Sequence, residues 1–370
     1  MKLLLEEQDK RQLKARQIKE QLKESGGKLY IWGKGIYARI LAGYLKEEAV
    51  EASPIWVLDD LYFTEKDRAD SVSVSDLIRD YSPSDVVVFG IYDYGKYVRL
   101  KEQYRDRLVH FYDLHFVVVY NTIVKWSPDF VRDKLALYEE SFDMLCDEKS
   151  KKTMEAYLNA TTVGAFDELY LDCREETAYF NELTKDLKID RLIDCGAFDG
   201  DSIHDFIAAF PAYKGITAFE PDKKNVEKIR EREKKENIHD LTVIDKGVYS
   251  ETTTLFFREE GKSSSHLSDS GSIKVDVTRM DEMEFPQDER MLLKIDIEGS
   301  EMEALKGAEE FIRRNHPCLT ICVYHKQEDL ITIPQFIHSL DTENVYDHYL
   351  RYHGTDLAEL VFYAIPKGWK

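Results

Sequence analysis

The chain has 370 residues and a formal net charge of −20, with 71 acidic side chains against 51 basic ones. A surface of this sign repels nucleic acid and anionic membranes, so we expect neither as a partner. Hydrophobic residues make up 43% of the chain, enough for ordinary cores. Because single cores seldom grow beyond about 250–300 residues, two domains are expected.

The cysteines and the apolar runs indicate the compartment. The five cysteines are scattered and form neither a CxxC pair nor a zinc-ligand spacing with histidine, which is typical of a reducing environment. No apolar run approaches the roughly 18 residues of a membrane-spanning helix. The opening Leu3-Leu-Leu5 is followed at once by acids and is too short for a signal peptide. The sequence therefore predicts a cytoplasmic protein without a membrane span.

The first 120 residues predict a helix followed by a small α/β domain. Residues 1–25 are rich in Lys, Glu, Gln and Leu, as in a charged and solvated helix. Residues 26–120 alternate apolar runs with helical patterns, which indicates a Rossmann-like parallel sheet. The turn Gly33-Lys-Gly35 and the acid Asp59 after the second strand fit a nucleotide-binding unit. One interpretation is a bound nucleotide or nucleotide-sugar; the other is a ligand-free domain for packing or for homo-oligomer formation.

Residues 121–187 predict a helical connector between two sheets. Ser127-Pro128 begins one helix, because proline suits the first turn. Ser150–Ala160 predicts a second helix and Glu175–Leu187 a third. Aromatic side chains in this segment are expected mainly in the core. An alternative interpretation places Tyr170, Tyr179 or Phe180 as a lid over a binding site.

Residues 188–370 begin with the stretch that the rest of the chain is organised around. Residues 191–202 predict a strand, a turn with Gly196 and Gly200, and a helix. A second strand ends at Glu220, where a nucleotide-binding unit holds ribose hydroxyls. The Gly-x-x-x-Gly spacing and the preceding Asp194 suit a cationic nucleoside better than a pyrophosphate, which acids would repel. S-adenosylmethionine carries a sulfonium, an ammonium and a ribose, so it fits.

Three motifs in order carry a resemblance to a known family. They are Asp194-Cys-Gly-Ala-Phe-Asp-Gly-Asp201, Phe219-Glu-Pro-Asp222 and Lys294-Ile-Asp-Ile-Glu-Gly-Ser-Glu301. Together they resemble the FkbM family of methyltransferases over about residues 188–366. The resemblance implies a class I methyltransferase sheet of seven strands with the last antiparallel. It also implies S-adenosylmethionine as donor and O-methylation of a sugar, glycan or glycoconjugate hydroxyl.

This interpretation assigns roles to residues at the carboxyl ends of the strands. The donor is expected at Asp194, Gly196, Ala197, Phe198, Asp199, Gly200, Ser202, Glu220, Pro221, Asp245 and Lys246. His325 is the candidate base, because an unperturbed imidazole titrates near neutrality, and Asp296 is expected to orient the acceptor or to contact the donor. The acceptor is further expected to contact Glu298, Glu301, Arg351 and His353. Ser300 and Glu303 fit a capping box of the helix that follows.

Alternatives remain open at this point. The spacing is no metal signature, although Asp296, Glu298 and His325 form an alternative ligand set for a divalent ion. An NAD-dependent oxidoreductase would use the turn at Gly33-Lys-Gly35, and a catalytically silent scaffold would bind S-adenosylhomocysteine without turnover. Gly196→Val is expected to abolish donor binding by filling ligand space, with the fold surviving.

Overall fold

The computed structural model describes residues 1–114, 117–119, 122–124, 126–259, 265–267 and 273–369. The front of the chain forms these elements: α1 (Lys10–Ser25), β1 (Leu29–Trp32), α2 (Ile36–Glu47), β2 (Pro54–Leu58), a 3-10 helix (Glu65–Ala69), β3 (Ser71–Ser73), α3 (Val74–Asp80), β4 (Val86–Phe89), α4 (Tyr94–Gln103) and β5 (Phe111–Asp113). The strands form a parallel sheet in the order β3-β2-β1-β4-β5. The predicted parallel α/β arrangement of this region is confirmed.

Helix α1 differs from the solvated helix that was expected. It begins at Lys10, where the Asp9 carboxylate accepts the Arg11 N–H and so caps the first turn. Ala15, Ile18 and Leu22 are buried against the front sheet. Their spacing places them on one face of the helix, so packing against the sheet adds to the intrinsic helix propensity.

The connector continues with the following elements: β6 (Val117–Val119), β7 (Thr122–Val124), α5 (Pro128–Asp133), α6 (Leu135–Asp143), α7 (Glu148–Val163), α8 (Phe166–Glu168) and a π-helix (Leu169–Cys173). The helix predicted at Glu175–Leu187 is wrong, because residues 174–190 lie in bends, turns and irregular backbone. Tyr179 has a φ of 53°, and its N–H donates to the hydroxyl of Tyr363. Tertiary contacts therefore override the local helix propensity.

The remaining elements build the second half: β8 (Arg191–Cys195), α9 (Asp201–Ala209), β9 (Gly215–Phe219), α10 (Lys223–Glu236), β10 (Leu241–Ile244), β11 (Gly247–Val248), β12 (Thr253–Glu259), β13 (Ser265–Leu267), β14 (Ile273–Thr278), a 3-10 helix (Met280–Glu282), β15 (Met291–Ile295), α11 (Glu301–Lys306), α12 (Glu309–Asn315), β16 (Cys318–Cys322), α13 (Asp329–Leu340), β17 (Tyr346–Tyr352) and β18 (Leu360–Pro366). The seven-stranded sheet has the order β10-β9-β8-β15-β16-β18-β17. Strand β18 is antiparallel to both neighbours, so the predicted class I sheet is confirmed.

A second, smaller sheet follows the order β11-β14-β12-β13 beside the main one. The polar loop of residues 262–271 lies largely outside the described residues. The central strands β8, β15 and β16 are buried along almost their whole length, as expected for parallel strands covered on both faces. Among the described residues, no helix combines the length and the apolar character needed to cross a membrane.

The two halves share one hydrophobic core. A single cluster of buried side chains runs from Trp32 and Phe89 of the front sheet through Tyr157 of the connector to Ile295 of the second sheet. At the junction, the Phe166 ring meets the Tyr94 ring edge-on at 4.8 Å. The Tyr94 N–H also donates to the carbonyl of Thr355 at 2.9 Å. The halves are therefore joined by packing as well as by the chain.

We predict that Phe166→Ala destabilises the whole chain by about 3–5 kcal/mol, because it empties a buried ring site that both halves line. Urea denaturation should show one earlier transition by both fluorescence and circular dichroism. Leu171→Ala is the matched control, since this side chain is 61% exposed in the neighbouring π-helix; its cost should stay within about 0.5 kcal/mol. Two separated transitions in the Phe166 variant, with the second unshifted, would contradict a shared core.

Candidate active site

The site is built on a buried ion pair between two adjacent strands. Asp194 of β8 and Lys294 of β15 are register partners, and Lys294 Nζ lies 3.0 Å from Asp194 Oδ1. Lys294 also donates to the Gly196 carbonyl at 2.9 Å, and the Ser202 hydroxyl donates to Asp194 Oδ2. Burial alone would lower the pKa of Lys294, but the charges of Asp194 and Asp296 outweigh it and raise the pKa.

Asp194 and Ser202 therefore lie beneath the glycine turn instead of facing a ligand. Asp194 is fully buried, and Ser202 is nearly so. Both were expected to touch the donor; the structure instead shows them fixing the end of β8 to the start of α9. Lys294 was missed, although a lysine inside an otherwise apolar strand is the signal that pointed to it.

The glycine turn is pressed against the end of β15. Gly196 has a φ of 86°, and a Cβ there would stand 1.9 Å from the carbonyl oxygen of Asp296. The tight space at Gly196 is thus occupied by this chain's own backbone. The expectation that a larger residue fills ligand space with the fold intact has to be corrected, because the clash is internal.

The predicted donor residues form one rim around this turn. Glu220 at the end of β9 accepts the Phe198 N–H at 2.9 Å and the Asp222 N–H at 2.8 Å, and burial raises the pKa of its carboxyl. Each carboxylate oxygen keeps capacity for a second hydrogen bond. The rest are placed as follows: Ala197 and Gly200 are buried, Asp199 and Lys246 are half-buried, and Phe198, Pro221 and Asp245 are exposed. The Asp199 carboxylate lies 3.6 Å from Arg232.

His325 lies among three carboxylates on the adjacent rim. Its Nδ1 is 2.9 Å from Glu301 Oε1. Its Nε2 is 3.7 Å from Asp296 Oδ1 and 3.6 Å from Glu298 Oε2. Burial alone would lower the pKa of His325, but the adjacent Glu301 carboxylate and the charges of Asp296 and Glu298 raise it to about 9. The imidazole is therefore charged at neutral pH, contrary to the near-neutral titration that was expected.

The acids around His325 have different functions. Glu301 is buried, and its Oε1 accepts the N–H groups of Ile297 and Gly299 at 3.0 and 3.1 Å. It contacts His325 from the buried side. Contrary to the prediction, it does not face an acceptor. Glu298 has a φ of 55°, and its side chain is 62% exposed. Asp296 and Glu298 thus remain as the acids that an acceptor can reach.

The predicted capping box is absent from this turn, because the Ser300 side chain makes no cap hydrogen bond. Glu303 instead accepts from the Ser250 hydroxyl and from Lys306. It has a structural role, as expected, through different partners.

Arg351 and His353 do not join the rim. Arg351 is buried in ion pairs with Asp147 and Glu175 of the connector, at 2.6 and 3.0 Å. His353 Nε2 lies 2.9 Å from the hydroxyl of Tyr363, and burial lowers the pKa of His353 to about 4. Because both residues lie at the end of β17, they were expected at the open edge of the sheet. The connector covers this edge. Neither side chain faces an acceptor.

Two further residues, Tyr179 and Glu359, complete the neighbourhood of Asp296. The hydroxyl of Tyr179 donates to Asp296 Oδ2 at 3.0 Å, which places one of the three suggested lid residues at the site. Tyr170 packs instead against Tyr94. Burial and the charge of Asp296 raise the pKa of Glu359, just before β18, to about 7. No local motif marks Glu359, since only the pairing of β18 with β16 brings it here.

Three potential ligands of a divalent ion lie close together. Among the described residues, Asp296, Glu301 and His325 offer ligand atoms within 4.8 Å of one another, with Glu301 in place of the predicted Glu298. However, Glu301 Oε1 already accepts two backbone N–H groups and lies against His325 Nδ1. The imidazolium itself supplies the positive charge among these acids. The charges therefore favour an imidazolium paired with these acids over a bound ion.

Residues 194–348 match the family model of the methyltransferase FkbM domain. The match covers less than half of the chain and includes all three motifs on which the resemblance rests. The sequence has no match among curated proteins. The chain is similar in fold to the FkbM methyltransferase of Methylobacillus flagellatus, with 21% identity, a TM-score of 0.69, and coverage of 96% of this chain and 98% of that one.

Two further solved structures align with about half of the chain. One is a Streptococcus mutans protein in complex with S-adenosylhomocysteine (17% identity, 50% of this chain and 96% of that chain, TM-score 0.32). The other is an rRNA methylase of Streptococcus thermophilus (14% identity, 49% and 87%, TM-score 0.30). Similarities this weak carry no argument about function. The match to the FkbM domain confirms the resemblance seen in the sequence and supports a methyltransferase.

We predict that Gly196→Ala destabilises the FkbM domain by about 2–5 kcal/mol, combining a left-handed φ with a clash against backbone. Binding of S-adenosylhomocysteine, measured by calorimetry, should be lost with it. Gly368→Ala is the matched control, because its φ of 80° is similar but nothing lies within 4 Å of an added Cβ. Its cost should be about 1–2 kcal/mol. Equal effects of the two substitutions would show that the contact with Asp296 is unimportant.

The raised pKa of His325 predicts a pH-dependent contribution to stability. In the folded chain the pKa is about 9, against 6.5 ordinarily, which corresponds to about 3 kcal/mol of stabilisation. Because the folded pKa is the higher one, this stabilisation is complete below about pH 6.5 and is lost as the pH rises through about 9. Urea unfolding of wild type and His325→Gln should therefore differ most at about pH 6. A difference that stays constant up to about pH 10 would contradict the charged cluster.

Proposed function

We propose that this chain is an S-adenosylmethionine-dependent O-methyltransferase acting on a hydroxyl of a sugar, glycan or glycoconjugate. The observation that carries the proposal is the position of His325, within 3.7 Å of both Asp296 and Glu298. Asp296 is also the residue whose backbone packs against Gly196 of the glycine turn. A base, two reachable carboxylates and a nucleoside-type turn thus meet at one edge of the sheet.

The residues that would hold the donor are the backbone of 196–200 and the carboxylate of Glu220, with Pro221, Asp245 and Lys246 farther along the rim. S-adenosylmethionine would supply a methyl group already activated by a positive sulfur. Acids around the turn suit that charge. Glu220, fixed by two backbone N–H groups, is suited to accept hydrogen bonds from ribose hydroxyls.

The acceptor hydroxyl would be held by the outward acids and deprotonated by His325. Asp296 and Glu298 accept hydrogen bonds from hydroxyl groups, which orients the reacting oxygen. Nδ1 of His325 is held by Glu301, so the proton would go to Nε2. Only the neutral imidazole accepts a proton, and its fraction grows as the pH approaches about 9.

The charge of the chain supports a neutral acceptor over a polyanion. A net charge of −20 weakens the approach of nucleic acid. A nucleotide-sugar, which carries a few negative charges, is a second candidate acceptor, with its nucleotide on the front domain. The glycine turn before α2 favours nucleotide binding there, although Lys34 in that turn is paired with Asp70 at 2.8 Å.

A cytoplasmic setting is part of the proposal and rests on the scattered cysteines.

We predict that kcat/KM rises about tenfold per pH unit below pH 9 and then levels off, because the base must lose its proton first. Transfer of a labelled methyl group to a panel of sugars, nucleotide-sugars and glycans, read by product mass, gives the rates. His325→Ala should lower the rate by about 10²–10⁴-fold and remove the pH dependence. Affinity for S-adenosylhomocysteine should change little. A profile in wild type that is flat across this range would exclude His325 as the base.

Two controls separate this function from its alternatives. Glu301 Oε2 is buried without a hydrogen-bond partner in the described part of the chain, so activity should be measured after removal of divalent ions. We expect no loss; a loss restored by added Mg²⁺ or Mn²⁺ would instead favour a metal-assisted reaction. Tight binding of S-adenosylhomocysteine without turnover on any hydroxyl acceptor would favour a silent scaffold.

A further inference from the structure

The irregular segment after the π-helix is anchored firmly over the active edge of the sheet. Tyr179 donates its N–H to the Tyr363 hydroxyl at 3.2 Å, and its carbonyl accepts from the Thr184 hydroxyl at 2.7 Å. Asn181 Nδ2 donates to the same Tyr363 hydroxyl at 2.9 Å. Tyr363 is fully buried in β18. The backbone of Tyr179 is thus fixed on both sides by groups of the sheet and of its own loop.

Tyr179 has an unfavourable backbone conformation. Its φ of 53° lies in the left-handed region, which bulky side chains rarely adopt. Such a conformation persists only where surrounding contacts over-determine it, and these residues cluster at functional sites. The hydrogen bonds of Tyr363 and Thr184 supply those contacts. The result is a side chain directed at the end of the sheet.

The phenol of Tyr179 bridges the ends of two adjacent parallel strands. Its hydroxyl donates to Asp296 Oδ2 at 3.0 Å and lies 3.3 Å from the sulfur of Cys322. Asp296 follows β15 and Cys322 ends β16, so the ring covers the gap between them. The Lys294 ammonium lies 5.4 Å from the ring centroid, within the range of a cation–π contact. Tyr179 therefore touches the acid, the buried lysine and the strand next to His325.

We infer that Tyr179 is a positioning residue that fixes the Asp296 carboxylate for methyl transfer; this inference rests on the proposed function. With Oδ2 held by the phenol, Oδ1 is the oxygen that lies towards His325, at 3.7 Å. A carboxylate held at one oxygen cannot rotate freely, so the other oxygen keeps a constant direction towards the acceptor hydroxyl. Small errors in such alignment cost large factors in rate.

His353, which was expected to bind the acceptor, has a place in this arrangement. Its Nε2 lies 2.9 Å from the Tyr363 hydroxyl, which in turn accepts from the Tyr179 N–H. His353 is thus connected to Asp296 through two intervening residues, Tyr363 and Tyr179, because it contacts the hydroxyl that holds the Tyr179 backbone.

Tyr179→Phe tests the inference, because it removes the hydroxyl and keeps the ring. Loss of a hydrogen bond to a charged group corresponds to about a 10- to 100-fold fall in kcat. KM for the acceptor and affinity for S-adenosylhomocysteine should change less than about twofold, because a positioning residue acts through Asp296 and not by binding either ligand. Tyr213→Phe is the matched control: its hydroxyl donates to the His239 carbonyl on the far side of α9, and kcat should not change. An unchanged kcat in Tyr179→Phe, or a fall that only follows loss of folded protein, would overturn the inference.

A double-mutant cycle shows whether Tyr179 acts through Asp296. If it does, Tyr179→Phe should have little further effect on kcat when Asp296 is already Asn, because the group to be positioned has been replaced. Independent, additive effects would overturn the positioning role.

A structural measurement decides the inference even if the proposed function fails. Crystal structures of wild type and Tyr179→Phe with S-adenosylhomocysteine should show the Asp296 carboxylate rotated or split between rotamers in the variant. An unrotated carboxylate would overturn the inference. If wild type methylates no hydroxyl acceptor, the proposed function fails by itself, and this comparison still reports on Tyr179.

Discussion

The buried ion pair of Asp194 and Lys294 is the interaction on which the site depends. It joins the two central strands at 3.0 Å, and through the Gly196 carbonyl and the Ser202 hydroxyl it sets the path of the turn between β8 and α9. Removing one partner of such a pair leaves an uncompensated buried charge. Burying this ion pair costs desolvation free energy, but the pair fixes the turn in one defined position.

The charges around His325 also depend on each other, as those of Asp194 and Lys294 do. Three carboxylates lie close to one imidazole, and burial would otherwise disfavour every charge among them. The imidazolium reduces the repulsion between the acids, while the acids keep the imidazole protonated. This mutual dependence explains why His325 and Glu301 are both almost fully enclosed. Glu298, at 62% exposure, is the most solvent-exposed of the three acids.

The sheet, the glycine turn and the position of His325 are predictable from the sequence, because they depend on local patterns: apolar runs, glycines and strand ends. Other features are not predictable, because contacts with distant segments decide them. Residues 175–187 have helical composition, but contacts with Tyr363 hold Tyr179 in a left-handed conformation. Arg351 ends a strand as predicted, yet the connector covers it. Its partners lie about 200 residues earlier in the chain, so no local pattern indicates them.

The loop between β17 and β18 links the front domain to the site. The Thr355 carbonyl accepts from the Tyr94 N–H, the Leu357 carbonyl from the Tyr157 hydroxyl, and the Gly354 carbonyl from Arg174 Nε. This loop ends at Glu359, whose pKa is raised in part by the charge of Asp296. In engineering terms, the front domain is not an exchangeable cassette: a graft from a relative would have to bring a matching loop, or the segment that leads to Glu359 would lose these contacts.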